Sequence, residues 1–159
     1  MHSSFRLPPD GNSLILTQPV LQTFLSYRQH LGQNESGGIL LGRVSLQGSV
    51  TVEIATIPTV LDKAGPAFFV RSREAAQCVV DRAWSISSGE QVYLGEWHTH
   101  SECSPKPSTR DKDMIRNMFL ETSMEISFLF TVIVGRSDEW VGMQTKRRLF
   151  RLTSLVSHA

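Results

Sequence analysis

Two histidines separated by one residue, His98 and His100, precede Ser108 and Asp111 in the stretch GEWHTHSECSPKPSTRD, residues 95–111. On an extended strand side chains alternate between faces and each residue advances about 3.3 Å, so His98 and His100 share a face with Cα atoms roughly 6 to 7 Å apart. Two imidazoles at that spacing can share one metal ion. Zinc in a hydrolytic site takes three protein ligands of the histidine and carboxylate kind and keeps a fourth position for water. Asp111, on the first turn of the helix expected to follow, is the third candidate. The same residues admit a plainer reading: a serine three places before an acid is also the pattern of a helix cap, beside the positive helix end. Iron or manganese suits a His-His-Asp set as zinc does. His2, His30 and His158 have no partner at ligand spacing and read as surface.

The strand and the helix start that carry these residues lie within an alternation of both kinds of element. SLILTQ, from Ser13, reads as an opening strand. QPVLQTFLSYRQHLG then places Val20, Leu21, Phe24, Leu25, Arg28 and Leu31 at helical spacing, with Gly32 as the stop. ESGGILLGRV and SVTVEIATIPTV read as two strands joined by SLQG, the second alternating in Val, Ile and Thr. AFFVRS is a further short strand or a strand-to-helix entry. A helix follows from Ser72 as cap to the Ser-Ser-Gly cluster at 87–89. VYLGEWHTH is a strand and STRDKDMIRNMFLET a helix. ISFLFTVIVG, EWVGMQ and RRLFRLT close the chain as strands joined too tightly for helical crossovers, hence antiparallel neighbours. The expected fold class is α/β with a mixed sheet. On their elements Trp97 faces away from His98 and anchors the core, Trp84 and Trp140 pack, and Cys78 falls in a helical apolar pattern and reads as core.

The bulk composition narrows the function classes. With 159 residues, 40% hydrophobic and 19% charged, the chain has the makings of one domain with a real core. Sixteen Lys and Arg against fifteen Asp and Glu leave a formal charge of +1, which gives no overall bias toward nucleic acid or an anionic membrane and argues against a dedicated DNA binder, while leaving room for a local basic patch. No apolar run is long enough to span a bilayer, and MHSSFRLPPDGNS does not read as a secretory signal. Two cysteines, Cys78 and Cys103, fit a reducing cytoplasm and form no four-thiolate site. Cys103, three residues past His100, is either a lone loop cysteine or a group within reach of the metal.

The pattern His98-x-His100, seven residues, Ser108, two residues, Asp111 resembles the signature of the JAMM (JAB/MPN) metalloprotease family. That family also has a glutamate on an earlier strand before small and aliphatic residues, and NESGGILLGR places Glu35 in that setting; without the resemblance Glu35 reads as a solvent-facing strand carboxylate. The resemblance runs from about Gln18 to Arg151. It implies a single MPN-like (cytidine-deaminase-like) domain over residues 1–159 with its core at about 14–153, a mixed sheet flanked by helices. It also implies one zinc ion held by His98, His100 and Asp111, with Glu35 orienting the water and moving its proton, and Ser108 donating to the carbonyl oxygen as it becomes negative. Proline is common after the second histidine in the family; here Ser101 stands there, which puts the loop geometry in question. Gly37 and Gly38 point to close approach of a ligand or backbone, or else to a bulge.

Within the family, the short length and the GEWHTHSE stretch are most similar to the deconjugating isopeptidases of CBASS antiphage systems. The resemblance then implies as substrate a cGAS-like nucleotidyltransferase, or a ubiquitin-like protein, with an extended C-terminal tail, and a functional partnership with ubiquitin-activating-like and conjugating-like enzymes. Other callings in the family are a non-catalytic MPN scaffold, a RadC-like or phage-tail peptidase, and processing of a ubiquitin-like precursor.

Overall fold

The computed structural model describes residues 2–122 and 127–155. In chain order these form β1 (Ser3–Arg6), β2 (Ser13–Leu16), α1 (Gln18–Ser26), β3 (Gly37–Val44), β4 (Val50–Ala55), β5 (Lys63–Gly65) and β6 (Phe68–Val70). Then come α2 (Arg73–Ile86), β7 (Val92–Thr99), α3 (Thr109–Glu121), β8 (Leu129–Val134), β9 (Glu139–Gln144), β10 (Leu149–Arg151) and β11 (Thr153–Ser154). Nine strands make one sheet in the order β10-β9-β8-β7-β3-β4-β2-β1-β11, while β5 and β6 pair apart from it. β8, β9 and β10 are antiparallel neighbours, as their short connections require. β7 and β8 run parallel with α3 as their crossover, and β2 and β4 are also parallel. The fold is therefore α/β with a mixed sheet.

The strand bearing the histidines lies in the interior of this sheet. β7, buried from Leu94 to Thr99, runs between β3 and β8, and β8 is buried along its whole length as LFTVIV, apolar on both faces apart from Thr131. Trp97 fixes its other face. Its indole packs against Phe24 (ring centroids 5.3 Å) and Tyr27 (6.1 Å), and its Nε1 donates to the Thr56 carbonyl at 2.9 Å. A buried tryptophan with its N–H satisfied holds both apolar area and orientation. Trp140 is likewise buried.

Glycines allow the strands to close in. Gly37 pairs with His98 across β3 and β7; a methyl group there would lie 2.5 Å from the Trp97 carbonyl and 2.6 Å from the Phe69 ring. Close approach, not a bulge, accounts for this glycine, since the register of β3 shifts only beyond Leu40. Gly95, at φ +151°, sits where a Cβ would come within 1.9 Å of the Phe130 carbonyl of β8.

Four sequence expectations are corrected. α1 ends at Ser26, not at Gly32, and Leu25 and Leu31 are exposed. The reason is Gln29: its buried side chain donates to the carbonyls of Gln33 and Pro66 at 2.9 and 3.0 Å, holding the segment in a non-helical turn. Cys78 and Trp84 are exposed. The sheltered face of α2 consists of Ala75, Ala76, Val80 and Ala83, and at 100° per residue Cys78 falls on the opposite side. β1 and β11, which pair with each other at one sheet edge, extend the fold beyond the strands expected. Ile126, the start of the expected ISFLFTVIVG strand, and His158 lie outside the described residues; the strand itself begins at Leu129. His2 and His30 are exposed, as expected.

Candidate active site

His98 is the penultimate residue of β7, and His100 follows the strand's end with its N–H donating to the Val134 carbonyl at 2.9 Å, so the extended path continues. α3 then brings in the carboxylate. Ser108 is its N-cap in a reciprocal box: the Ser108 N–H donates to Asp111 Oδ2 at 2.8 Å, and the Asp111 N–H donates to Ser108 Oγ at 3.1 Å. Ser108 is exposed, and its Oγ accepts in the cap while keeping a proton to donate elsewhere.

The three candidate ligands converge. The two Nε2 atoms are 3.2 Å apart, Asp111 Oδ1 is 3.1 Å from His98 Nε2, and Asp111 Oδ2 is 3.1 Å from His100 Nε2. A tetrahedral site with zinc-ligand bonds of 2.0 to 2.1 Å has ligand atoms about 3.3 Å apart. The donor set therefore fits an ion of that size by both spacing and chemistry. Among the described residues His98, His100 and Asp111 form the metal-competent cluster, and Cys103, exposed in the loop, is not part of it.

The electrostatics follow from enclosure. Burial works against ionisation of Asp111, but hydrogen bonds from His100 and His98 outweigh it and hold the carboxyl well below its usual range. For His100, burial pushes the imidazole down, and the hydrogen bond and charge of Asp111, with Glu35 and Glu102 adding, bring it above its usual value. Glu102 Oε1 lies 3.5 Å from His100 Nδ1.

Glu35 stands beside the cluster, in the loop ahead of β3 and only 7% exposed, with Oε1 3.9 Å from His100 Nε2. Burial pushes its carboxyl up to about 7; the Asp111 charge adds to this, and His100 and Arg110 oppose it. Its backbone is fixed on both sides. The Glu35 N–H donates to the Gly65 carbonyl at 2.8 Å, the Ser36 N–H to Thr99 Oγ1 at 2.9 Å, and the Thr99 N–H back to the Ser36 carbonyl at 2.9 Å.

Thr99, a mere spacer between the histidines in the sequence, is thus the residue that ties the Glu35 loop to β7. Its hydroxyl donates to Gln29 Oε1 at 3.1 Å. Sequence reasoning missed both, because Gln29 and Thr99 meet only through the fold. It also missed Glu96, buried two residues ahead of His98 on the same face, where Arg71 Nε donates to both carboxylate oxygens at 2.8 and 2.9 Å and Tyr93 donates its hydroxyl. Arg71 precedes the Ser72 cap, so this ion pair locks the start of α2 onto β7. The loop after Ser101 is held without the family's proline: Arg136 N–H donates to the Glu102 carbonyl, Ser137 and Asp138 N–H to that of Cys103, and Ser104 Oγ to Asp138.

Residues 17–153 match the family of prokaryotic homologs of the JAB domain. The chain belongs to this family. This JAB domain is 34% identical over 144 residues to a CD-NTase/cGAS isopeptidase of Pseudomonas aeruginosa, covering 87% of each chain. It is 35% identical over 135 residues to a CD-NTase/cGAS isopeptidase of Vibrio cholerae, covering 84% of this chain and 83% of that one. Among solved structures, the solution structure of protein DSY2949 from Desulfitobacterium hafniense superposes with a TM-score of 0.60 at 22% identity, covering 86% of this chain and 87% of that one, which bears on the fold alone. No helix among the described residues of the JAB domain is long and apolar enough to cross a membrane.

Proposed function

We propose that this protein is a zinc-dependent isopeptidase that hydrolyses the amide bond following the C-terminus of a conjugated protein. The observation that carries the reading is Glu35: a second carboxyl group, buried beside a His-His-Asp cluster yet outside its ligand triangle, held by backbone bonds on both sides. A binding scaffold has no need of such a group.

His98, His100 and Asp111 would hold the ion. When bound, it supplies Lewis acidity toward the carbonyl and a water acidic enough to yield hydroxide near neutral pH. Glu35 takes the proton of the attacking water and passes it to the leaving nitrogen, a service worth typically 10²- to 10⁴-fold. Its raised pKa in the metal-free protein shows how strongly its surroundings disfavour an isolated charge. Ser108 donates a hydrogen bond to the carbonyl oxygen as negative charge develops there. Asp111, pinned by the cap, keeps the two imidazoles aimed.

The similarity to proteins named CD-NTase/cGAS isopeptidase supports a cGAS-like nucleotidyltransferase as the conjugated protein, released from lysines of its targets in an antiphage (CBASS) setting in the bacterial cytoplasm. The writers of such conjugates would be ubiquitin-activating-like and conjugating-like enzymes. An extended tail would bring its amide past the cluster at the end of β7, whose own edges are already paired with β3 and β8.

The reading is tested with a nucleotidyltransferase whose C-terminal tail is fused through an amide to a reporter. Cleavage at the junction that stops on chelation and returns with zinc supports it. A metal-free protein that cleaves as fast as the zinc-loaded one refutes it.

A further inference from the structure

The groove between α3 and the β9–β10 hairpin, about 490 Å³, is rimmed by Lys112, Arg116, Lys146, Arg147, Arg148 and Arg151, with Asp113 as the one acid of its lining. Removing these six cations and Asp113 from the sixteen cations and fifteen acids of the chain leaves ten against fourteen. The near-neutral molecule is therefore an acidic body with one strongly basic groove. Among the described residues none of the six makes an ion pair, whereas Arg28, Arg43 and Arg71 elsewhere each do. Six cations held together against a single carboxylate cost self-repulsion, which a bound anion relieves.

The groove also has a floor. Trp140 lies over Gly142, where an added methyl group would meet its ring at 2.3 Å, and Arg148 stacks on Phe150 at 5.2 Å. One wall is the edge strand β10, paired only with β9. The lining includes Pro107, next to the Ser108 cap, and Lys112, which follows Asp111 directly. Groove and candidate site thus share the first turn of α3.

We propose that this groove docks an acidic, extended segment of the protein substrate, lying beside β10 with its carboxylates on the six cations, while the tail of the same protein crosses the cluster. This rests on the isopeptidase reading above. The occupant is taken as peptide because the groove's open wall is a strand edge that a peptide backbone can pair with, and because the lining includes Pro107 and Lys112, which adjoin Ser108 and Asp111 in the chain. Charges on an edge strand also guard against sheet-to-sheet aggregation, but that role needs neither the cations of α3 nor an aromatic floor.

The test uses the zinc-loaded full chain and an Arg116→Glu/Arg147→Glu variant, with Arg116→Lys/Arg147→Lys as the charge-keeping partner. Fluorescence anisotropy with labelled hexaglutamate, hexaglutamine and a short duplex DNA reads the groove directly. Charge-dependent binding of hexaglutamate that weakens with salt, is lost in the reversal variant and survives in the Lys variant supports the proposal. Equal binding by the wild type and the reversal variant overturns it, and so does DNA binding that is tighter than hexaglutamate binding and lost in the same variant.

Cleavage gives the second reading. With a hexaglutamate segment placed ahead of the tail, the reversal variant should show a KM raised by about tenfold with kcat unchanged, and no change on a substrate with hexaglutamine there. An identical KM on both substrates overturns the proposal. If no fusion is cleaved by any form while hexaglutamate binding remains charge-dependent, the isopeptidase reading fails and the anion-docking groove stands.

Discussion

Ser108 and Asp111 hold each other at both ends: the Ser108 N–H reaches Asp111 Oδ2 at 2.8 Å and the Asp111 N–H reaches Ser108 Oγ at 3.1 Å. The same carboxylate meets His98 and His100 at 3.1 Å. One side chain therefore starts α3 and completes the cluster. Asp111→Asn keeps an acceptor for the cap but loses the charge that holds two imidazoles to one ion; Asp111→Ala loses both. Zinc content measured by mass spectrometry should fall below a tenth of the wild type in each. Metal-free melting should separate them, with Ala less stable than Asn by about 1 kcal/mol.

Ser108→Ala removes a cap acceptor and the hydroxyl proposed to face the carbonyl. Loss of the cap should cost about 1 kcal/mol in stability. Loss of the oxyanion donor should lower kcat by about 10²- to 10³-fold with a small change in KM. Ser108→Thr, which keeps the hydroxyl, should recover most of both. Steady-state kinetics beside thermal melts make the separation, and an Ala variant with full kcat rules out the donor role.

The two shifted groups of the cluster give a pH dependence with a definite sign. His100 in the metal-free protein is raised above its usual 6.5, so its contribution to stability is full below that value and is lost as pH rises through the higher folded value. Asp111 is lowered from 3.8, so its contribution is present above that value and is lost as pH falls. A metal must displace the His100 proton. Its affinity should rise with pH across the imidazole range, with proton release on binding. Titration calorimetry in buffers of different ionisation enthalpy measures that release directly.

Gly95→Ala should destabilise the protein strongly, because the new Cβ would stand 1.9 Å from the Phe130 carbonyl in a backbone conformation that favours glycine. Trp97→Ala should cost about 3 to 5 kcal/mol through the cavity it leaves. Denaturant unfolding checks both, and both variants should also bind zinc more weakly, since β7 carries the histidines.

What was legible in the sequence is local. His98 and His100 share a face because a strand has a period of two, and Ser108 with Asp111 reads as a cap because a helix begins there. The buried run of β8 and the tight links after it are equally local, and they yield the mixed sheet. What was not legible depends on partners far along the chain. α1 stops at Ser26 because Gln29 turns inward to carbonyls of Gln33 and Pro66 and to Thr99, contacts that periodicity does not contain. Cys78 fits a helical apolar pattern, but only a narrow alanine-rich stripe of α2 is sheltered. Glu35 could be placed by resemblance alone, and its burial against His100 emerges only from the fold. The basic groove was hidden by a net charge of +1, since its cations are spread from Lys112 to Arg151 and offset by acids elsewhere.

Glu35→Gln is the most direct test of the central claim, because it keeps the size of the side chain and leaves His98, His100 and Asp111 untouched. Zinc content and cleavage of the tailed fusion are measured on the same preparation. The expected result is zinc retained at the wild-type level, with cleavage reduced by at least about 10²-fold. Cleavage at the wild-type rate with zinc in place would contradict the account.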